Sequence, residues 1–409
     1  MNTYDRDRMI ILNMNKAFIV IVINQFIHKI SETIYDLALP LIILFYTQSS
    51  FMMSLSYALG FVAEFLAGYF GGALVDSFNR KNFLSTIAFL QASFISLIPI
   101  LHSFDYLSIY VLLAISFLVD LLLSLYGIAD ISIIPEIVEK KDLTKANSYM
   151  QMFMSVATSI GPSLAGLLLA VIGIFNSLWI TFLGLLLLIV SLSLVKYKNK
   201  IATVDSLEVQ SIFRKSYEGL KYTLSNKLYK NILIWNAFIN LGLTGSVLLI
   251  IYRLKEELQL NSIEIGIIYT LSALGGIISG FILPYFNKKF KSGHILIISS
   301  FITSSCLLGL TFIKNWFLVG LIDALLMGSV ALNSRLISIL YQSKVPNHYL
   351  GRVISLSRLI STILAPISVL LAGFLADYYG STPVFLFGSM IIFITNIIAF
   401  NSRIKNSNW

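Results

Sequence analysis

Apolar runs and short polar breaks alternate along nearly the whole chain. Twelve apolar segments can be marked, at roughly 17–46, 51–76, 82–101, 105–128, 147–172, 174–196, 231–252, 263–285, 293–313, 316–341, 353–377 and 381–402. Each is long enough to cross a hydrocarbon layer about 30 Å thick as a helix. Backbone groups inside hydrocarbon have no water to bond, so helices that satisfy their own N–H and C=O groups are required. The pattern predicts an all-α integral membrane protein of twelve transmembrane helices.

The end of the second segment returns in the second half with its spacing kept. Gly68, Gly72, Asn79 and Lys81 have counterparts at Gly276, Gly280, Asn287 and Lys289, an offset of 208 residues (276 less 68). Asp76 and Arg80 fall opposite Pro284 and Lys288. Two halves built on one plan predict two pseudo-symmetric six-helix bundles, 1–196 and 231–409, joined by a segment at 197–230. A two-fold repeat of apolar halves points to a membrane transporter.

Composition sharpens this picture. Hydrophobic residues make up 57% of the 409 residues and charged residues 12%, and the mean hydropathy is +0.84. Soluble domains carry about 25% charged residues, so the bilayer must solvate most of this chain. The net charge of +9 would suit nucleic acid, but the basic residues sit in short breaks between apolar runs. With the N-terminus inside, 23 of the 29 Lys and Arg fall on the cytoplasmic side. Three (Arg253, Lys255, Lys314) fall outside and three (Lys29, Arg335, Arg358) within helices. That bias predicts both termini in the cytoplasm of a cell-membrane protein. Cys306 is the only cysteine, which leaves no disulfide framework and no cysteine metal cluster. The polar start (Asp5, Arg6, Asp7, Arg8) and the length of the first apolar run predict no cleaved leader. In the joining segment, Phe213, Tyr217, Leu220 and Leu224 recur at helical spacing among Arg214, Lys215, Lys221 and Lys227. This predicts an amphipathic helix on the inner membrane surface, either a plain tether or a regulatory element.

Ionisable groups inside the apolar runs are the first candidates for function, because a bilayer makes them costly. The first segment is richest, with Asn24, Gln25, His28, Lys29, Glu32, Tyr35 and Asp36. His28, Glu32 and Asp36 are spaced four apart and share a helix face. The 208-residue offset maps them onto Asn236, Asn240 and Thr244, so the polar face belongs to both halves and the acids to the first alone. Two readings fit. Glu32 and Asp36 line a central cavity and bind a cationic group, a proton, or each in turn. Alternatively, Lys29 neutralises one acid and the cluster fixes helix packing. Isolated charges elsewhere are Glu64, Asp120, Asp323, Arg335 and Arg358. Arg335 suits either an anionic group or a packing role with its head near the interface.

Gly68 and Gly72, like Gly276 and Gly280, leave a flat helix surface that another helix can approach. Asp76 can cap a neighbouring helix N-terminus, and Asn79 suits a left-handed turn. Arg80 and Lys81 can pair with acids such as Asp130. The run Gly72 to Lys81 resembles the loop 2–3 signature of the major facilitator superfamily, with Asn79 where the family has glycine. Ala157, Gly161, Pro162, Ala165 and Gly166 resemble the fifth-helix signature of its antiporters, with alanine for glycine at two places. Pro135-Glu136 with Ala146-Asn147, and Val345-Pro346 with Gly351-Arg352, resemble inner loops of the macrolide-efflux-like branch. The resemblance implies alternating access of two bundles about a central site, working as a monomer. It also implies a gating role for Gly68, Gly72, Asp76, Arg80 and Lys81, and a bend at Gly161-Pro162. Many drug–proton antiporters carry an arginine in the fourth helix; segment 105–128 has neither Arg nor Lys. Coupling to protons would then centre on Glu32 and Asp36.

The expected function is proton-coupled efflux of an amphipathic drug-like compound. The alternatives are an exporter of a metabolite, siderophore or lysophospholipid, and a non-transporting membrane sensor. An ATP-driven pump is disfavoured because no Gly-x-x-x-x-Gly-Lys-Ser/Thr run is present. An enzyme is disfavoured because His28, His102, His294 and His348 lie on separate segments without metal or triad spacing. No cofactor and no metal is expected. The expected partners are the substrate, protons and the lipid bilayer.

Overall fold

The computed structural model of the chain describes residues 16–138, 142–193, 221–401, 404, 405 and 407. Twelve long helices run in order among them: α1 (Lys16–Thr47), α2 (Ser50–Ser77), α3 (Arg80–Ser103), α4 (Ile109–Ile137), α5 (Leu143–Ile172) and α6 (Ser177–Ser193), then α7 (Lys227–Tyr252), α8 (Ser262–Lys289), α9 (Ser292–Phe312), α10 (Trp316–Lys344), α11 (Asn347–Tyr379) and α12 (Ser381–Phe400). Ten are long and apolar enough to cross a membrane; α6 and the apolar part of α11, Ile363–Tyr379, are shorter among the described residues. Large side chains such as Phe65, Tyr110, Phe281 and Phe312 stand exposed, as suits a surface solvated by lipid tails.

Local chemistry sets where helices begin. Asn79, Ser108, Asn226, Asn261 and Asn315 are N-caps whose side chains accept from the first-turn N–H groups of α3, α4, α7, α8 and α10. Glu264 completes a capping box with Asn261. Asn79 corrects one expectation. Its backbone is extended (φ −63°, ψ 115°), because a cap needs that conformation to aim its oxygen at Asn82 N–H, and no left-handed turn forms there. The repeat shows in turn geometry instead. Gly173 (φ 88°) follows α5 and Gly380 (φ 74°) follows α11, 207 residues apart (380 less 173). These left-handed positions suit glycine, which lacks the Cβ that clashes there.

The chain divides into two compact units, Met1–Leu39 with Ala63–Val204 and Pro40–Val62 with Asp205–Trp409. In the first, α3 packs along both α4 and α6. Gly161 of α5 lies against Thr33 of α1, where an added Cβ would come within 3.2 Å of the threonine side chain. In the second, α8 packs most extensively on α10, while α7 packs on α11 and α12, and α9 on α10 and α12. A Cβ added at Gly275 would fall 1.9 Å from the carbonyl oxygen of Ala324, so these two backbones are in direct contact. Buried Arg253, just after α7, donates to Glu257, Ser381 and the carbonyls of Thr311 and Ile313, tying three helix ends together. In the same unit Asp377 of α11 holds the start of α2, accepting from the N–H groups of Ser50 and Phe51 and from the Ser49 hydroxyl. A carboxylate at a helix N-terminus is favoured by the dipole there.

Residues 197–220 of the expected amphipathic segment lie outside the described residues. Where the description resumes, Tyr222 stacks on Tyr349 at 4.4 Å and the Tyr229 hydroxyl donates to Lys344 O. The seventh helix starts at Lys227, inside the stretch expected to be linker, because Asn226 supplies its cap.

Candidate functional site

The polar face of α1 is buried within the first unit, and its partners come from α3, α4 and α6. Gln25 Nε2 donates to Asp130 of α4 at 2.6 Å. Asn24 accepts from Ser191 of α6 through its side-chain oxygen. His28 stacks on Tyr126 at 3.8 Å and shares a 3.3 Å hydrogen bond with Gln91 of α3. Asn24, Gln25 and His28, which fall within about one turn of α1, thus each bond a neighbouring helix, and His28 is packed and bonded on both sides.

The next turn differs. Lys29 Nζ and Glu32 Oε2 are 3.0 Å apart, with side chains 24% and 27% exposed. Asp36 is exposed, and the charges of Glu32, Lys29 and Asp120 all reach it. Asp120 of α4, half-buried, lies in the field of Glu32. Lys29 pairs with Glu32, and the carboxyls of Asp36 and Asp120 both lie in the field of Glu32. Lys29 can balance one of these acids, and the surplus acid is what simple neutralisation leaves unexplained. Beside Glu32, His28, Tyr35 and Gln91 is a void of about 10 Å³, roughly the room one water needs. In the sequence nothing next to Asp120 marks it out; only the packing of α4 within the first unit joins it to Glu32.

The repeat counterparts in the second unit form a ladder along α7. Asn240 donates to Asn236 O at 2.8 Å, and Thr244 donates to Asn240 O at 2.8 Å. Thr244, the counterpart of Asp36, lines a chamber of about 520 Å³ together with residues of α2, α8, α10 and α11. Arg335 settles into packing: its guanidinium donates to Gly276 O at 3.1 Å and to Ser279 Oγ at 2.6 Å. It lies over Gly280, where an added Cβ would come within 3.1 Å of its Cζ.

The expected flat glycine surfaces are placed differently from the helix contacts. Among the described residues nothing comes within 4 Å of a Cβ at Gly68, Gly72 or Gly276. Close approach falls on the neighbours Gly71, against Leu125 and Ile128, and Gly275. Lys81 donates to Ser193 O at 3.0 Å, while Asp130 is the partner of Gln25. The side chains of Asp76, Pro135, Glu136, Gly351, Arg352 and Arg358 lie outside the described residues. α5 runs through Gly161 and Pro162 as one continuous helix. Among the described residues no three of His, Cys, Asp and Glu are grouped to hold a metal ion.

Comparison with known proteins agrees with this architecture. Macrolide efflux protein A of Streptococcus pyogenes is 25% identical over 397 residues, 96% of this chain and 98% of its own. The multidrug efflux pump Tap of Mycolicibacterium fortuitum is 22% identical over 375 residues, 88% of this chain and 90% of its own. Among solved structures, a bacterial homologue of the iron transporter ferroportin superposes with a TM-score of 0.74 at 19% identity, covering 94% of this chain and 98% of that one. The family model of the Major Facilitator Superfamily matches residues 21–369, from α1 into α11. Helix count, internal repeat and a match of that extent leave one assignment, and this multi-pass membrane protein belongs to the Major Facilitator Superfamily.

Proposed function

We propose that this chain is a secondary exporter that carries an amphipathic small molecule out of the cell in exchange for protons. The observation that carries the reading is the surplus of acid around Glu32: Lys29 pairs with it, and the carboxyls of Asp36 and Asp120 lie in its field. Charges of that kind are costly among transmembrane helices, and ion or proton handling is their usual reason. Full-length likeness to exporters supports the direction. The bundles 1–196 and 231–409 rock about a central site in the plasma membrane, with both termini cytoplasmic and a single chain as the working unit. Residues 197–230 tether them. The run from Gly68 to Lys81 gates the inner side, with Asp76 as its acid, and Gly161-Pro162 lets α5 bend.

Inverted vesicles holding the full chain test this. Adding a macrolide or another amphipathic drug to vesicles with an imposed proton gradient is expected to release lumenal protons and accumulate the drug. Asp76→Asn in the same vesicles is expected to slow accumulation with protein levels unchanged. Drug uptake that ignores the gradient sinks proton coupling, and wild-type rates in Asp76→Asn sink the gate.

A further inference from the structure

The chamber in the second unit contains one buried charge that the export reading has not used. Its walls are aromatic and aliphatic, with Tyr57 and Phe61 from α2, Tyr269 from α8 and Met327 from α10. Asp323 of α10 reaches it and is only 1% exposed. Ser272 donates a hydrogen bond to Asp323 Oδ2. The other oxygen, Oδ1, is buried with no hydrogen-bond partner among the described residues. Among the described residues no Lys or Arg lines the chamber. Arg335, the nearer of the two cations on the same helix, is twelve residues on, about 18 Å along the axis, and is engaged by Gly276 and Ser279. Packing gains nothing from a half-satisfied carboxyl group, since an apolar residue of that size would fill α10 at no desolvation cost. Aromatic faces around a carboxyl provide what a desolvated organic cation needs, a counter-charge and ring quadrupoles. A volume near 520 Å³ lies within the range of about 300–1,000 Å³ that takes drug-sized ligands.

We propose that this chamber is a binding subsite for a lipophilic organic cation, with Asp323 Oδ1 opposite the positive charge and Tyr57, Phe61 and Tyr269 around the apolar body. The inference rests on the export reading and names a substrate class for it.

The test uses the full chain in detergent with no gradient. Tetraphenylphosphonium serves as the cation and triphenylphosphine oxide as a neutral aryl analogue, each titrated by calorimetry. The wild type is expected to prefer the cation by about tenfold or more, the scale of one charge pair shielded from bulk water. Asp323→Asn is expected to erase that preference and leave the neutral analogue's affinity unchanged, while Asp323→Glu keeps most of it. Tyr57→Leu, on the more exposed wall, is expected to weaken the cation alone, by about three- to tenfold. It carries the test if the Asp323 variants fail to fold. Equal affinity for both probes, no binding of the cation, or a wild-type cation affinity in Asp323→Asn overturns the proposal. Binding is read without transport, so binding retained in a protein that moves no drug counts against the export reading alone. Lost binding with export intact counts against this subsite alone.

Discussion

Glu32→Gln is expected to cut proton-coupled transport by about two orders of magnitude, the scale on which losing a positioned proton-transfer group is felt, while the protein folds and inserts normally. The size of the Lys29–Glu32 pair decides between the two roles open to it. Lys29 and Glu32 stand three residues apart on one helix, and such pairs contribute about 0.5 kcal/mol. A purely structural Glu32 therefore predicts a small loss of stability and an equally small loss of transport. A functional Glu32 predicts a large loss of transport beside the same small loss of stability. The double variant Lys29→Met with Glu32→Gln sharpens the contrast, because it removes both charges and restores neutrality. If packing is the whole role, it should recover wild-type transport. If Glu32 handles protons, transport stays low however well the protein folds. Transport in proteoliposomes and thermal unfolding in detergent, measured on the same three proteins, give both numbers, and recovery in the double variant would refute the coupling role.

The architecture was legible because the bilayer imposes it. Apolar runs near twenty residues leave helices as their only option, and positions such as Gly68 and Gly276 carry the repeat in plain sequence. The marked segments fall on α1 to α12, apart from ends set by caps such as Asn79 and Asn226, whose role depends on backbone conformation. The chemistry was legible only in part. Periodicity within one helix put His28, Glu32 and Asp36 on a common face, yet the structure gives them different company. His28 is absorbed by Gln91 and Tyr126, and Glu32 gains Asp120. Those partners lie 63 to 98 residues away in sequence, and no local pattern encodes contacts at that range (98 is 126 less 28). Asp323 and Arg335 looked alike as lone charges on one helix; the groups facing each, a half-satisfied chamber wall and a filled groove, tell them apart.

The glycines supply the sharpest structural contrast, because two neighbours on α8 should respond in opposite ways. Gly275→Leu is expected to destabilise the protein by more than about 3 kcal/mol, beyond the usual range for overpacking. An added Cβ there would sit 1.9 Å from Ala324 O, and the obstacle is backbone, which cannot swing aside as a side chain can. A Cβ added at Gly328 on the facing helix would likewise come 3.0 Å from Gly275 O, so α8 and α10 would have to part along their closest line. Gly276→Ala, one residue on, has no atom within 4 Å of its new methyl and is expected to melt within about 1 kcal/mol of wild type, helped slightly by alanine's helix propensity. Gly276 is the residue carried by the repeated sequence pattern, and it lines the chamber. Its substitution should therefore change ligand binding more than stability, whereas Gly275 should change stability first. Thermal unfolding of the two variants beside cation binding by Gly276→Ala separates these effects. Equal melting of both variants would show that the contact between α8 and α10 does not hold this unit together.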